Sequence, residues 1–392
     1  MSRFPRFFSV LQQRPRHLLD HSLSQGRRYL MAASIESARA KIAEDIKIDI
    51  FTATQVADNA KALKEISRSF IFPTAEMYAY AIRASLGDDV YYEPSTKALE
   101  AHMAKITGKE AALFVPSGTM SNQLALRTHL KQPPYSVLCD HRAHIARSSS
   151  HSGRCPGTHR FRAPTQVVEL ENTLNGTIIP QEDVIVISDY VHSKGLIMHL
   201  DGARIWDVVA QTATPLHELC APFDSVRLSD SCLVGPKEFI TKARWFRKLF
   251  GGGMRQIGVL SASAAYALSH NFQLLPAVHA LAKRLETGLE EIGVEITSAA
   301  ETCMVFFDPS PIGVTYAELV DRASKLPEPI KLGGSRLVIH IQTSPAAVED
   351  FLTLVRQLAD EKKQAGFVPP ERKASPNGRP YSSIYVRSGV KA

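Results

Sequence analysis

The sequence predicts an α/β protein with a mostly parallel central sheet and a smaller α+β lobe near its C-terminal end. Three observations lead there. Short apolar runs, clearest at Ser136–Cys139, Gln166–Leu170 and Leu196–Leu200, each end in polar residues and alternate with helix-like stretches. That is the rhythm of a sheet whose ligands lie at the carboxyl ends of its strands. Beyond about Asn271 the order changes to helix, strand, strand, helix. With 392 residues and 44% hydrophobic content, the chain can fill one large core and an attached lobe.

In chain order, the first 35 residues hold six arginines (Arg3, Arg6, Arg14, Arg16, Arg27, Arg28) and a single acid, Asp20. Arg-rich and acid-poor is the composition of a mitochondrial transit peptide, and a disordered basic leader or a misplaced start reads equally well. The compartment expected is therefore cytoplasmic or mitochondrial. Glu36 to Ser69 reads as a moderately amphipathic helix. Helical signals at Thr74–Ser85 and Thr96–Thr107 precede the apolar run Ala111–Val115, which ends in Pro116-Ser117-Gly118-Thr119. Ser or Thr ahead of the next helix is a start signal that leaves unpaired N–H groups at the helix N-terminus. Pro236–Phe250 is a basic helix with proline in its first turn and Gly251-Gly252-Gly253 after it. The lobe comprises a helix (Pro276–Ile292), strands at Cys303–Phe307 and Arg336–Ile341, and a helix capped by Ser344-Pro345 with Val348, Phe351, Leu352, Val355 and Leu358 on one side. The tail after Phe367, rich in Pro, Arg and Ser, is expected to be disordered. The domains expected are a leader (1–35), a large domain (36–270), a small lobe (271–366) and a tail (367–392).

The formal charge of +7 is spread along the chain, with no zinc, RNP or GXXG pattern, so nucleic acid is not expected as a partner. The five cysteines are widely spaced and contain no CxxC pair, which fits a reducing compartment and points to no metal. No apolar run approaches the roughly 18 residues needed to span a bilayer.

Several motifs carry chemistry. Ser117, Gly118 and Thr119 offer two hydroxyls, backbone N–H groups and a helix dipole to a phosphate, although the same residues make an ordinary helix cap. Asp201 ends the apolar strand Leu196–Leu200, where a carboxylate can hold a pyridine nitrogen protonated; a surface strand-end Asp is the competing account. These join Gly87-Asp88-Asp89-Val90-Tyr91, Arg142-Ala143-His144-Ile145, Leu170-Glu171-Asn172-Thr173, His199-Leu200-Asp201-Gly202-Ala203-Arg204 and Gly251–Gln256 in one ordered set. From about Thr74 to Glu361 the set resembles the threonine aldolase branch of the aromatic amino acid β-eliminating lyase family.

The resemblance implies the two-lobed pyridoxal-phosphate (PLP) fold of the aspartate aminotransferase type. It further implies cleavage of threonine or allo-threonine to glycine and acetaldehyde, and a homodimer or homotetramer. On this likeness Ser117, Gly118 and Thr119 hold the phosphate, and Asp201 holds the ring nitrogen. Arg204, which fits equally a structural partner of Asp201, flanks the ring. His144 stacks on the ring and handles a proton near the substrate hydroxyl. Arg336 clamps the substrate carboxylate, and Arg255 approaches the cofactor across a subunit interface. A β-eliminating lyase or racemase on the same scaffold is the other enzymatic reading, and a non-catalytic paralogue that assembles with an intact enzyme is the reading from a different class.

The likeness breaks in three places. After Val226 the family continues with a strand and a Ser-Lys-Gly-Leu-Gly-type loop whose lysine carries the cofactor; here Val226-Arg227-Leu228-Ser229-Asp230-Ser231-Cys232 follows, with no lysine between Lys194 and Lys237. About ten residues are missing, and neither lysine is nominated as a substitute. An Arg-Ser-Asp-Thr-like segment before Pro73 is absent, and Arg154–Arg160 stands where relatives have a longer strand and helix. Such abrupt losses between intact motifs read as wrong exon boundaries or a shortened splice form. Loss of a central strand with its loop is expected to expose core surface and to endanger folding, because domain stability is only about 5–15 kcal/mol.

Overall fold

The structure is a computed structural model that describes residues 73–84, 87, 93–131, 135–148, 163–229 and 231–368. The chain divides into Met1–Asn59 and Ala60–Ala392, and every described residue lies in the second unit. The predicted leader, the 36–69 helix, most of the tail and Arg154–Arg160 fall outside the described residues.

The described strands are β1 (Ala111–Phe114), β2 (Ser136–Leu138), β3 (Thr165–Glu171), β4 (Ile197–Gly202), β5 (Ser225–Leu228), β6 (Cys232–Gly235), β7 (Glu295–Ser298), β8 (Met304–Asp308) and β9 (Arg336–Val338). The α-helices are α1 (Ala75–Ala81), α2 (Pro94–Thr107), α3 (Gly118–His129), α4 (His144–Ser148), α5 (Gln181–Ser193), α6 (Ile205–Thr212), α7 (Leu216–Cys220), α8 (Lys237–Leu249), α9 (Ile257–Tyr266), α10 (Leu275–Ile292), α11 (Tyr316–Ser324) and α12 (Pro345–Gln364). Six strands form one sheet in the order β1-β6-β5-β4-β3-β2, with β2 to β5 parallel and β6 antiparallel to both of its neighbours. Three antiparallel strands, β7-β8-β9, form the second sheet, with α10 and α12 packed together beside it.

Alternation along the strands divides their residues between two layers. Val168, Met198, Leu200, Val226 and Leu228 enter one apolar cluster with Leu99 and Met103 of α2 and Ile205 and Val208 of α6. Leu113, Leu124, Leu233, Ile240 and Phe246 pack α3 and α8 over β1 and β6. In the small lobe the apolar side of α12 meets β8, with Phe307 and Phe351 edge to face at 6.2 Å.

The expectation that a central strand is lost needs correction. Both strands that flank the shortened segment are present, and Val226, Leu228, Cys232, Leu233 and Val234 are fully buried. Ser231, just before β6, has a left-handed φ of 57° and its carbonyl accepts from Val115 N at 2.9 Å. Ser229, just after β5, donates its hydroxyl to the Ala203 carbonyl. The apolar residues of β5 and β6 therefore stay covered.

Candidate active site

The carboxyl ends of β3, β4 and β5 carry polar side chains at alternate, and therefore same-facing, positions. Register places Glu169 beside His199 and His199 beside Ser225; one pleat further on, Glu171 stands beside Asp201 and Asp201 beside Arg227. Two transverse rows of polar groups thus cross the sheet under α3. Such groups are costly to bury unless hydrogen bonded, and most are.

Asp201, 2% exposed, accepts from Asn122 Nδ2 at 2.6 Å, from the Ala203 amide at 3.0 Å and from Arg227 Nη1 at 3.1 Å. Arg227 reaches on to the start of α3, where a Cβ on Gly118 would collide with its guanidinium. Ser117 caps α3, its hydroxyl accepting from Met120 N at 3.2 Å, and Ser117 and Thr119 both face solvent. Gly252 lies against Met120 in the first turn of the same helix, which brings the 251–256 loop alongside, and Arg255 in that loop is exposed.

Arg204 caps α6 and turns toward the small lobe, its Nη1 lying 3.3 Å from Cys303 Sγ. The small lobe also meets the loop after β3, where Ile178 N donates to Glu301 at 2.6 Å and Thr302 Oγ1 to the Gly176 carbonyl at 2.8 Å. His144 begins α4 and is exposed; its amide donates to Glu171 Oε2 at 2.6 Å, and Glu171 stands beside Asp201. Arg336 opens β9 and is exposed. Ser117, Gly118, His144, Asp201 and Arg204 therefore stand around one end of the sheet, linked through Arg227 and Glu171.

Sequence singles out neither Arg227 nor Asn122, and it names Glu171 only within the Leu170–Thr173 motif, with no role of its own. The available signal was period two: Glu169/Glu171, His199/Asp201 and Ser225/Arg227 place polar residues at every second position of otherwise apolar strands. Burial, followed by the charge of Asp201, pushes the Glu171 carboxyl up to about 7, against the lowering effects of the His144 amide, Arg227 and Arg204. Burial pushes Glu169 well above the usual carboxylate range too, with Asp201, Glu171 and Asp140 adding to it, and both of its oxygens are buried without a hydrogen-bond partner.

The raised value at Glu171 has a sign. The unfolded chain releases this proton near the ordinary 4.5 and the folded chain near 7, so folding binds the proton and stability falls as pH rises between the two. Glu171→Gln keeps an acceptor for the His144 amide and removes the titration. Between pH 5 and pH 8 the parent should therefore lose about 2–3 kcal/mol more than the variant. Urea unfolding at the two pH values reads this, and parallel losses in both proteins would mean that Glu171 is ionised throughout.

The two lysines flanking the shortened segment lie elsewhere. β6 runs antiparallel, so Gly235 pairs with Ala111 at the amino end of β1, and Lys237 follows at that edge with its amide on Glu110 at 2.8 Å. Lys194 ends α5 just before β4 begins, its ammonium 5.2 Å from the Tyr190 ring. Both are exposed, at the opposite end of the sheet from Asp201.

A six-stranded, largely parallel sheet with a second small sheet, polar groups gathered at its strand ends and a helix N-terminus beside them define an α/β enzyme of the PLP-dependent fold. The beta-eliminating lyase family matches residues 66–152 and 154–310, and the chain belongs to that family. It is 37% identical over 333 residues to the probable low-specificity L-threonine aldolase of Schizosaccharomyces pombe, covering 76% of this chain and 87% of that one. It is 31% identical over 331 residues to an alanine racemase of Cochliobolus carbonum, covering 73% and 85%. The fold matches the crystal structure of a putative aromatic amino acid beta-eliminating lyase/threonine aldolase from Exiguobacterium with a TM-score of 0.62 at 18% identity, over 75% of this chain and 97% of that one.

Family and fold imply pyridoxal 5'-phosphate. The residues present fit it at two points: the solvent-facing start of α3 can take the phosphate, and the buried Asp201 carboxylate can take the ring nitrogen. At a third point this chain has Arg227-Leu228-Ser229 in place of a lysine. Among the described residues, no group of His, Cys, Asp and Glu is arranged to hold a metal ion, and no helix is long and apolar enough to cross a membrane.

Proposed function

We propose that this chain is a PLP-dependent aldehyde-lyase of the threonine aldolase type by lineage, weakened by the missing lysine. The observation that carries the reading is the buried Asp201 carboxylate at the end of β4, one guanidinium away from the start of α3. The bound cofactor would supply an electron sink for bond cleavage at the substrate α-carbon. The protein's part is to bind and orient. Ser117, Gly118 and Thr119 hold the phosphate by amide and hydroxyl donors, and Asp201 holds a proton on the ring nitrogen. His144 would lie against the cofactor and take a proton from the substrate hydroxyl. Arg336 binds the α-carboxylate through two parallel N–H donors, Arg204 flanks the ring, and Arg255 serves the site of a neighbouring copy in a homodimer or homotetramer. Residues 36–270 form the cofactor domain and 271–366 the lobe that carries Arg336. The compartment is cytoplasmic or mitochondrial.

The test is product analysis with PLP in excess. Glycine and acetaldehyde from L-threonine or L-allo-threonine, at a low rate, support the reading. Interconversion of alanine enantiomers without acetaldehyde would replace it with the racemase reading. A folded chain that yields neither product but co-purifies with an intact paralogue would favour the non-catalytic partner, a reading that the absent lysine beside the retained Gly251–Gln256 already favours.

A further inference from the structure

Below Asp201, four polar side chains run through the layer between α3 and the sheet. Asn122 Nδ2 lies 2.6 Å from Asp201 Oδ2, and Asn122 Oδ1 lies 3.4 Å from His199 Nε2. On the other side of that ring, His199 Nδ1 lies 2.8 Å from Ser225 Oγ and 3.1 Å from the Ser225 carbonyl, and Ser225 Oγ lies 2.7 Å from His129 Nε2. Asn122, His199 and Ser225 are 2%, 0% and 0% exposed, so water does not compete for these contacts.

The direction of every proton in this run follows from its last member. An ionised carboxylate only accepts, so the Asn122 amide presents its NH₂ to Asp201 and its oxygen to His199. His199 must then carry its proton on Nε2, which leaves Nδ1 bare. A bare Nδ1 is repelled by the Ser225 carbonyl but can accept from the Ser225 hydroxyl. That hydroxyl has given its proton away, and its oxygen accepts from His129 Nε2–H. Reversing the run would set a bare His199 nitrogen against the Asn122 oxygen, and two acceptors would face each other.

We propose that His129, Ser225, His199 and Asn122 form a one-directional donor chain ending on Asp201, which fixes the orientation of that carboxylate toward the cofactor ring, with the Ser225 hydroxyl selecting the His199 tautomer. Aligned donors polarise one another and so strengthen each bond of the run. Burial supports the neutral rings that the chain requires: it lowers His199 to about 4 and His129 to about 3. The other charged groups facing Asp201 are Arg227 from β5 and Glu169 and Glu171 from β3, one of them cationic and two acidic with raised values, while Arg204 acts on Glu171 and Cys303. His129, Ser225, His199 and Asn122 act through Asp201 and are positioning residues. The proposal rests on the reading of Asp201 as the partner of the cofactor nitrogen, but its test is carried out on the cofactor-free chain, so the two can fail separately.

The measurement is the ring 15N and 1H spectrum of uniformly labelled protein, with the His199 and His129 signals assigned through His199→Gln and His129→Phe. Expected are a neutral His199 with its proton on Nε2 and no titration between pH 6 and pH 9. Ser225→Ala leaves only the backbone carbonyl of position 225 at Nδ1, so it should move the proton to Nδ1, and Ser225→Thr should restore it to Nε2. A role in packing alone would lower the melting temperature of Ser225→Ala without moving the tautomer, and that result overturns the proposal. So does a wild-type His199 that is charged or protonated on Nδ1, a measurement that needs no folded variant.

Discussion

A version of this chain with a Ser-Lys-Gly-Leu-Gly-type segment restored between Val226 and Leu233 should cleave threonine about a thousand-fold faster than the parent, because a covalent catalytic group commonly contributes several powers of ten. The geometry favours recovery. β5 and β6 are already paired, and the turn between them opens at the end of the sheet where Asp201 stands, with Ser229 bonded to the Ala203 carbonyl. A longer loop would emerge beside the cofactor carboxylate without rebuilding the core. The lysines nearest in sequence, Lys194 and Lys237, lie at the opposite end of the sheet. Borohydride reduction followed by mass spectrometry should therefore fix cofactor on the restored chain and leave the parent unlabelled, in step with acetaldehyde release. Equal labelling and turnover in the two would mean that a lysine elsewhere has assumed the role.

The sequence revealed the fold because its strands obey local rules. Runs such as Gln166–Leu170 and Leu196–Leu200 are apolar, short and followed by polar tips, and each falls within or beside an observed strand. The candidate residues at strand ends and helix starts were legible for the same reason, since capping and strand termination are local. The partners of Asp201 were not. That Arg227 and Glu171 flank it depends on the registers of β4 with β5 and β3, which are set by packing across the whole sheet. The survival of β5 and β6 was missed because a shortened segment was equated with a lost strand, although Val226–Leu228 and Cys232–Val234 retain the apolar residues that a buried pair of strands needs. Asn122 and His199 were hidden by another ambiguity: a polar residue on the inner side of a helix or strand announces burial only once its partner is known.

Arg227→Ala should lower the stability of the cofactor-free chain by about 2–4 kcal/mol, because it strips a cation hydrogen-bonded to Asp201 and leaves a buried charge held, among the described residues, by neutral donors. The contact is well enclosed, the two side chains being 14% and 3% exposed, so solvent screens it little. Two features keep the cost at the lower end of what a broken buried pair can reach. Asn122 and the Ala203 amide remain on the carboxylate, and Arg227 Nε is itself buried without a hydrogen-bond partner, a penalty the substitution removes. The substitution should also change how the chain responds to PLP. In the parent, a protonated ring nitrogen must compete with Arg227 for Asp201, whereas in the variant it replaces a missing cation. Loss of a positive charge near Gly118 works the other way on the phosphate, but Ser117 and Thr119 face solvent, where screening weakens that effect, and the amides at the start of α3 remain. PLP should therefore raise the melting temperature of the variant by more than that of the parent. Glu171 supplies a second reading, since Arg227 is one of the groups that lowers it, and its titration should move above about 7 once the guanidinium is gone. Urea unfolding, thermal melts with and without PLP, and the Glu171 carboxyl titration measure the three effects. Unchanged stability together with an unchanged Glu171 midpoint would mean that Arg227 does not hold Asp201 in solution.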